Sequence, residues 1–166
     1  MRKNKATLLT LGVLFGSAFF TGCSSDKGTS IEKVIGTVLT PSELVKVVET
    51  DSNRKIKDKT LKDVEITINL DSLSKSIAYE KSLEKVSFVL ATLDTVLEDE
   101  INDYVFKVNS SKLDVYGNKQ KVKVIEVSID KNTVDKINFE NFDYLNLDKI
   151  CEVKKFKYLT EKESEI

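Results

Sequence analysis

The chain has 166 residues, with 26 basic and 27 acidic side chains, two cysteines, and neither histidine nor tryptophan. Without histidine there is no Ser-His-Asp or Cys-His nucleophile system and no His-ligated zinc, because base and ligand are both missing. The near-balanced charge also speaks against nucleic acid as a partner, since a nucleic-acid binder carries a basic excess or stripe.

Residues 1–5 hold three positive side chains and no acid, and residues 6–20, ATLLTLGVLFGSAFF, are apolar or small almost throughout. A basic start followed by a short apolar run describes a secretory signal peptide. A membrane-spanning helix needs about 20 such residues to cross about 30 Å of hydrocarbon, and this run has 15. Phe20-Thr21-Gly22-Cys23 then resembles the lipobox of bacterial prolipoproteins, with Phe20 standing where Leu is usual. The resemblance covers residues 1–23. It implies that a diacylglyceryl group is attached to the Cys23 sulfur, that the leader 1–22 is cut away, and that the mature chain sits on the outer face of the cell membrane. Two acyl chains make a stable tether where one binds only marginally, each buried methylene contributing ~0.8 kcal/mol. Lysine outnumbers arginine 24 to 2, a usage that points to a low-GC Gram-positive source.

Losing residues 1–22 removes three basic residues and no acid, so the mature 144 residues carry a net charge of about −4. That length suits one domain with one core. With Cys23 lipidated, Cys151 has no disulfide partner. It follows Leu147 and Ile150 at helical spacing, as a small buried hydrophobe would, and no histidine is present to activate its thiol.

Residues 23–33 read as the lipidated terminus and a flexible leash, rich in serine, glycine and charge. Residues 34–160 form the domain, and 161–166 a charged tail. Thr40-Pro41-Ser42-Glu43 has the form of a capping-box helix start, yet the valines of ELVKVVET also suit a strand. Residues 51–63, with Arg54, Lys55, Lys57, Lys59 and Lys62 diluted by Asp51, Asp58 and Asp63, read as a solvated loop, with anionic lipid or cell-wall polymer as its alternative partner. Residues 64–70, VEITINL, alternate strictly and predict a half-buried strand. Tyr79, Leu83, Val86, Leu90, Leu93 and Leu97 recur at spacings of four and three, predicting an amphipathic helix over residues 73–98.

Residues 103–130 read as a β-hairpin turning at Gly117-Asn118. That turn opposes Phe106 to Ile129, Val108 to Val127 and Leu113 to Val122. The apolar parity changes partway along. Phe106, Val108, Ile125, Val127 and Ile129 share one face, while Leu113, Val115, Val122 and Val124 fall on the other. Either a bulge reorients the tip or the tip buries its opposite face, with residues 31–48 as the cover. Left uncovered, the four form an apolar interaction face for a partner. Asn132 is placed to cap a short helix over TVDKIN. Phe139, Phe142 and Tyr144 fill core or line a pocket, residues 146–151 predict a further short helix, and 153–159 a final strand.

Ser72-Leu73-Ser74-Lys75 and Ser82-Leu83-Glu84-Lys85 match the Ser-x-x-Lys element of penicillin-binding proteins, but its Ser-Asp-Asn and Lys-Thr-Gly companions are missing. Asp94, Glu98, Asp99, Glu100 and Asp103 cluster at the end of the long helix, either as a solvated face or as a weak calcium site. The expectation is therefore an α+β domain in the order strand, long helix, hairpin, short helices, with a small, mostly antiparallel sheet packed on one long amphipathic helix. The expected function is a lipid-anchored, non-enzymatic binding module without cofactor or metal, joined to the membrane through Cys23 and meeting a protein at the cell surface. The alternatives are a ligand-binding lipoprotein accessory to an importer and a small cell-wall hydrolase using carboxylates or Ser72.

Overall fold

The computed structural model describes residues 31–56, 58–71, 74–96 and 101–160. Cys23 and the lipobox lie outside them, as do Ser72, Leu97, Glu98, Asp99, Glu100 and the tail 161–166. The fold is α+β. Its five strands, β1 (Leu44–Ile56), β2 (Lys59–Asn69), β3 (Ile101–Leu113), β4 (Lys119–Asp130) and β5 (Glu152–Lys155), are ordered β1-β2-β3-β4-β5 across one sheet. Helices α1 (Ile31–Ile35), α2 (Lys75–Val96), α3 (Lys131–Val134), α4 (Leu147–Ile150) and α5 (Lys157–Thr160) fall between and beside them.

The sheet is mixed, which corrects the expectation of a small and mostly antiparallel one. β1–β2, β3–β4 and β4–β5 pair antiparallel, but β2 and β3 run parallel at its centre. A parallel neighbour needs a crossover of a dozen or more residues, and the 22-residue α2 supplies it. Register follows the apolar alternation: Val64 lies beside Tyr104, Ile66 beside Phe106 and Ile68 beside Val108. These side chains are all buried, in one cluster with Leu83, Val86, Leu90 and Leu93 of α2 and with Ile35, Val134 and Leu147 of the short helices. The opposite face is largely polar, with Glu65, Thr67, Lys107, Glu126 and Ser128 half-exposed. On it Lys107 Nζ lies 2.6 Å from Glu65 Oε2.

Five local expectations change. Residues 31–33, expected in the leash, belong to α1, whose Ile31, Val34 and Ile35 are buried in the core. The capping signal at Thr40 yields one turn only. Glu43 Oε2 accepts from Thr40 N at 2.9 Å, but Leu44 already pairs with Ile68. The β-branched run that follows gains more from the waiting edge of β2 than from a helix. Residues 51–63 are not a loop but the closed end of the β1–β2 hairpin, with Asp58 in the left-handed region at φ 67°. The alternating β2 provides the ladder that a charge count alone cannot foresee. Asp130, not Asn132, caps α3, its carboxylate accepting from Thr133 N. Residues 153–159 divide between β5 and α5 rather than forming one strand.

Candidate functional site

Two features of the β3–β4 hairpin decide what its tip presents. The first is the turn. Asp114 N donates to Asn118 O at 2.9 Å and Gly117 N to Asp114 O at 3.0 Å. Gly117 takes φ +82°, where a residue with a Cβ is strained. This is a three-residue loop, a tight turn closed by a left-handed glycine, and not the two-residue Gly117-Asn118 loop that the sequence suggested. Asp114 explains the choice: its Oδ1 accepts from Tyr116 N at 2.9 Å and from Asn118 N at 2.8 Å. The Asn118 N–H, joined by the Asn118 and Gln120 amides and the Tyr116 N–H, holds this carboxyl below the usual aspartate range.

The second feature is a bulge. With the longer turn, Leu113 faces Lys119 and Ser110 faces Val122, while Asn109 faces Lys123 and Val108 faces Ile125, leaving Val124 extra. Phe106 accordingly faces Val127, not Ile129. The bulge turns the start of β4 over, so Val124 is fully buried beside Ile125 in the core. Val122, opposite the buried Ser110, is half-buried. Leu113 is 52 % exposed and Val115 is 92 % exposed. The four residues expected to form one interaction face therefore do not share one. Residues 31–48 do not cover the tip either, since Ile31, Ile35 and Leu39 serve the core beneath α2.

What remains in water is smaller and sharper. Val115 and Tyr116, 86 % exposed, occupy the centre of the turn, with Leu113 below them. Tyr116 escaped the sequence reading because alternation looks for strand residues. The signal that could have found it is an aromatic between the turn-formers Asp114 and Gly117. Lys112, Lys119, Lys121 and Lys123 flank the turn against the single acid Asp114, so residues 110–123 carry a net charge of +3.

Beside the tip half of the hairpin lies a groove of about 800 Å³ bordered by Thr40, Glu43, Asp71, Lys85, Lys119 and Lys121. Lys85 Nζ lies 2.8 Å from Glu43 Oε1 and Lys119 Nζ 3.0 Å from Asp71 Oδ1. Burial would raise the Glu43 carboxyl, but Lys85 and Thr40 outweigh it and hold the carboxyl below its usual range. A second, apolar groove of about 370 Å³ runs between α2 and residues 139–144, lined by Phe88, Phe139, Phe142 and Tyr144. Phe139 and Phe142 meet edge to face with centroids 6.3 Å apart, and both also pack on the core, so they serve the two roles at once.

The other candidates for chemistry are committed elsewhere. Ser82 is buried and donates to Ala78 O at 2.5 Å. The Cys151 thiol donates to Leu147 O at 2.6 Å, and burial with nearby Asp148 pushes its pKa up to about 11. Asp94 is engaged by Lys131 at 2.9 Å, and Lys131 also pairs with Asp135. Asp63, Asp103 and Asp130 stand side by side on β2, β3 and β4. Burial, then Asp63 and Asp130, raises the Asp103 carboxyl, against the pull of Arg54. Asn102 Nδ2 bridges Asp63 at 2.8 Å and Asp103 at 3.0 Å. Among the described residues no group of three or more acidic or cysteine side chains is arranged to hold a metal ion. The Tyr104 hydroxyl is buried without a hydrogen-bond partner, and burial pushes its pKa up to about 12. No family model, no curated protein and no solved structure matches this chain.

Proposed function

We propose that the protein is a lipid-anchored, extracytoplasmic binding module, tethered by a diacylglyceryl group on Cys23 and working by contact rather than by catalysis. The observation that carries the contact half is the hairpin tip, where Val115 and Tyr116 stand 92 % and 86 % exposed on a turn tied down by Asp114. Large apolar side chains held in water on a rigid turn cost solvation and add nothing to the core, the signature of a contact surface. The anchor half rests on the sequence of residues 1–23.

The test takes each half separately. Mass spectrometry of the mature N-terminal peptide is expected to begin at Cys23 and to carry the diacylglyceryl mass. An unmodified thiol there ends the anchor reading. A photo-reactive side chain at position 116 is expected to cross-link to a surface component on intact cells. Labelling no greater than at Lys136, also exposed, ends the contact reading. The apolar groove beside α2 supports a second reading, an accessory that holds a small apolar or aromatic ligand for an importer, since its size is that of small-molecule sites. Phe88→Asp would abolish such binding and leave the tip untouched.

A further inference from the structure

We propose that the β3–β4 tip makes a second contact with the same membrane that holds the anchor, docking on anionic phospholipid. This deepens the proposed function by naming the tip's partner, and it rests on the reading of Cys23 as the lipid anchor. Three observations carry it: chemistry, reach and placement.

The chemistry matches an interface rather than a dry protein pocket. Leu113, Val115 and Tyr116 give the turn an apolar end and one aromatic with a polar tip, the kind of side chain that settles at headgroup depth. Behind them Lys112 and Lys121 can lie along the headgroups while their stems follow the apolar residues down, with Lys119 paired to Asp71 and Lys123 set over the Phe156 ring at the margin. Each basic residue near an anionic leaflet strengthens binding by about fivefold. The mature chain as a whole is acidic, at about −4, so a stretch at +3 is a local exception. The other hairpin end, around residues 57–58, is also basic but mixes Asp51, Asp58 and Asp63 with its lysines and has no comparable apolar turn.

Reach follows from the short leash. Eight peptide links join Cys23 to the buried Ile31, and a fully extended chain of that length spans at most ~28 Å. A domain of this size has a radius of gyration of about 14 Å. The anchored domain therefore cannot stray more than about its own diameter from the bilayer, and a weak second contact is made effectively intramolecular.

Placement connects the first helix to the hairpin through one turn. Thr40 borders both the crevice containing Glu32 and Gly36 of α1 and the groove rimmed by Lys119 and Lys121. The segment through Leu39 stays coiled, with Leu39 N bonded to Ile35 O at 2.9 Å. The segment from Ile31 to Leu39, helical over Ile31–Ile35, leads into the turn at Thr40 beside Lys119 and Lys121. Chain entry and hairpin are thereby linked through the turn at Thr40.

The test uses the full chain, purified from bacterial membranes and reconstituted into phosphatidylcholine vesicles with or without roughly 30 % phosphatidylglycerol. The chain has no tryptophan, so Tyr116→Trp supplies a single reporter, and Ile77→Trp, at a site 48 % exposed and outside the apolar groove, the control. Brominated acyl chains are expected to quench the reporter at position 116 about twofold or more in anionic vesicles, and the control hardly at all. Replacing Lys112, Lys119, Lys121 and Lys123 with Gln is expected to remove most of that quenching, as is omitting the anionic lipid. Lys55→Gln with Lys59→Gln is expected to leave it unchanged. Quenching at 116 no stronger than at 77, in chains that float with the vesicles, overturns the proposal. So does a blue shift at 116 seen only on intact cells and without lipid quenching, which assigns the tip to a protein. The mass of the Cys23 peptide is read in the same sample. An unmodified cysteine ends the anchor reading alone, and the quenching still decides the tip.

Discussion

The two halves of the β3–β4 hairpin carry similar alternating apolar patterns and meet opposite fates. At the root, Tyr104, Phe106, Val108, Ile125, Val127 and Ile129 are buried under the helices. At the tip, Leu113, Val115 and Tyr116 are in water, only a few residues further along the same strands. The boundary is the extra residue Val124. Below it, the pleat directs apolar side chains to the helix layer; above it, Ser110 is still buried and Val122 half-buried, and from Leu113 on the turn runs out beyond that layer. Alternation marks which side chains share a face, and length relative to the covering layer decides whether that face is buried.

Breaking the comparison should be easiest at the root. Phe106→Ala, which empties a fully buried ring site, is expected to cost about 3–5 kcal/mol, measured by urea unfolding. A loss below 1 kcal/mol would mean that the root is not the core.

Thiol chemistry sharpens the contrast. Cys151 packs near the root with a pKa of about 11, whereas Tyr116→Cys would place an ordinary thiol at the tip, with a pKa of about 8.5. At neutral pH the tip thiol is expected to react with an alkylating reagent about a hundredfold faster than Cys151, followed by mass spectrometry. The Cys151 shift also has a sign for stability. The folded pKa is raised, so its contribution is present in full below about 8.5. It is lost as pH rises through about 11.

Smaller effects belong to the turn. Gly117→Ala meets no atom within 4 Å but must hold φ +82°, so it is expected to cost about 1 kcal/mol from backbone strain alone. Val115→Asp is expected to change stability by less than about 0.5 kcal/mol, while removing the contact proposed for the tip. A loss of several kcal/mol there would make the tip core and end the contrast.

Much of the central fold was legible because its signals are periodic. The β2 alternation and the α2 stripe each repeat often enough to name their element, and the change of parity in β3–β4 announced either a bulge or a second covered face. Less was legible where two local preferences compete. Thr40 to Glu43 encodes a helix cap and the next residues a strand, and only the presence of β2 resolves them. The hairpin register failed for a similar reason. Gly117-Asn118 is a turn signal, but the Asp114 carboxylate captures the Tyr116 and Asn118 N–H groups and lengthens the loop, shifting the pairing in this hairpin.

For the candidate site, the sequence by itself determined that no histidine chemistry is available, that Cys151 has no histidine to activate it, and that lysines crowd residues 112–123. These are facts of composition and hold in any conformation. Only the tertiary structure decided that Val124 is core while Val115 and Tyr116 are surface, and that β2 and β3 pair in parallel. Exposure and pairing depend on which distant segments arrive to cover a strand, and a one-residue bulge reverses the face that every neighbouring side chain presents.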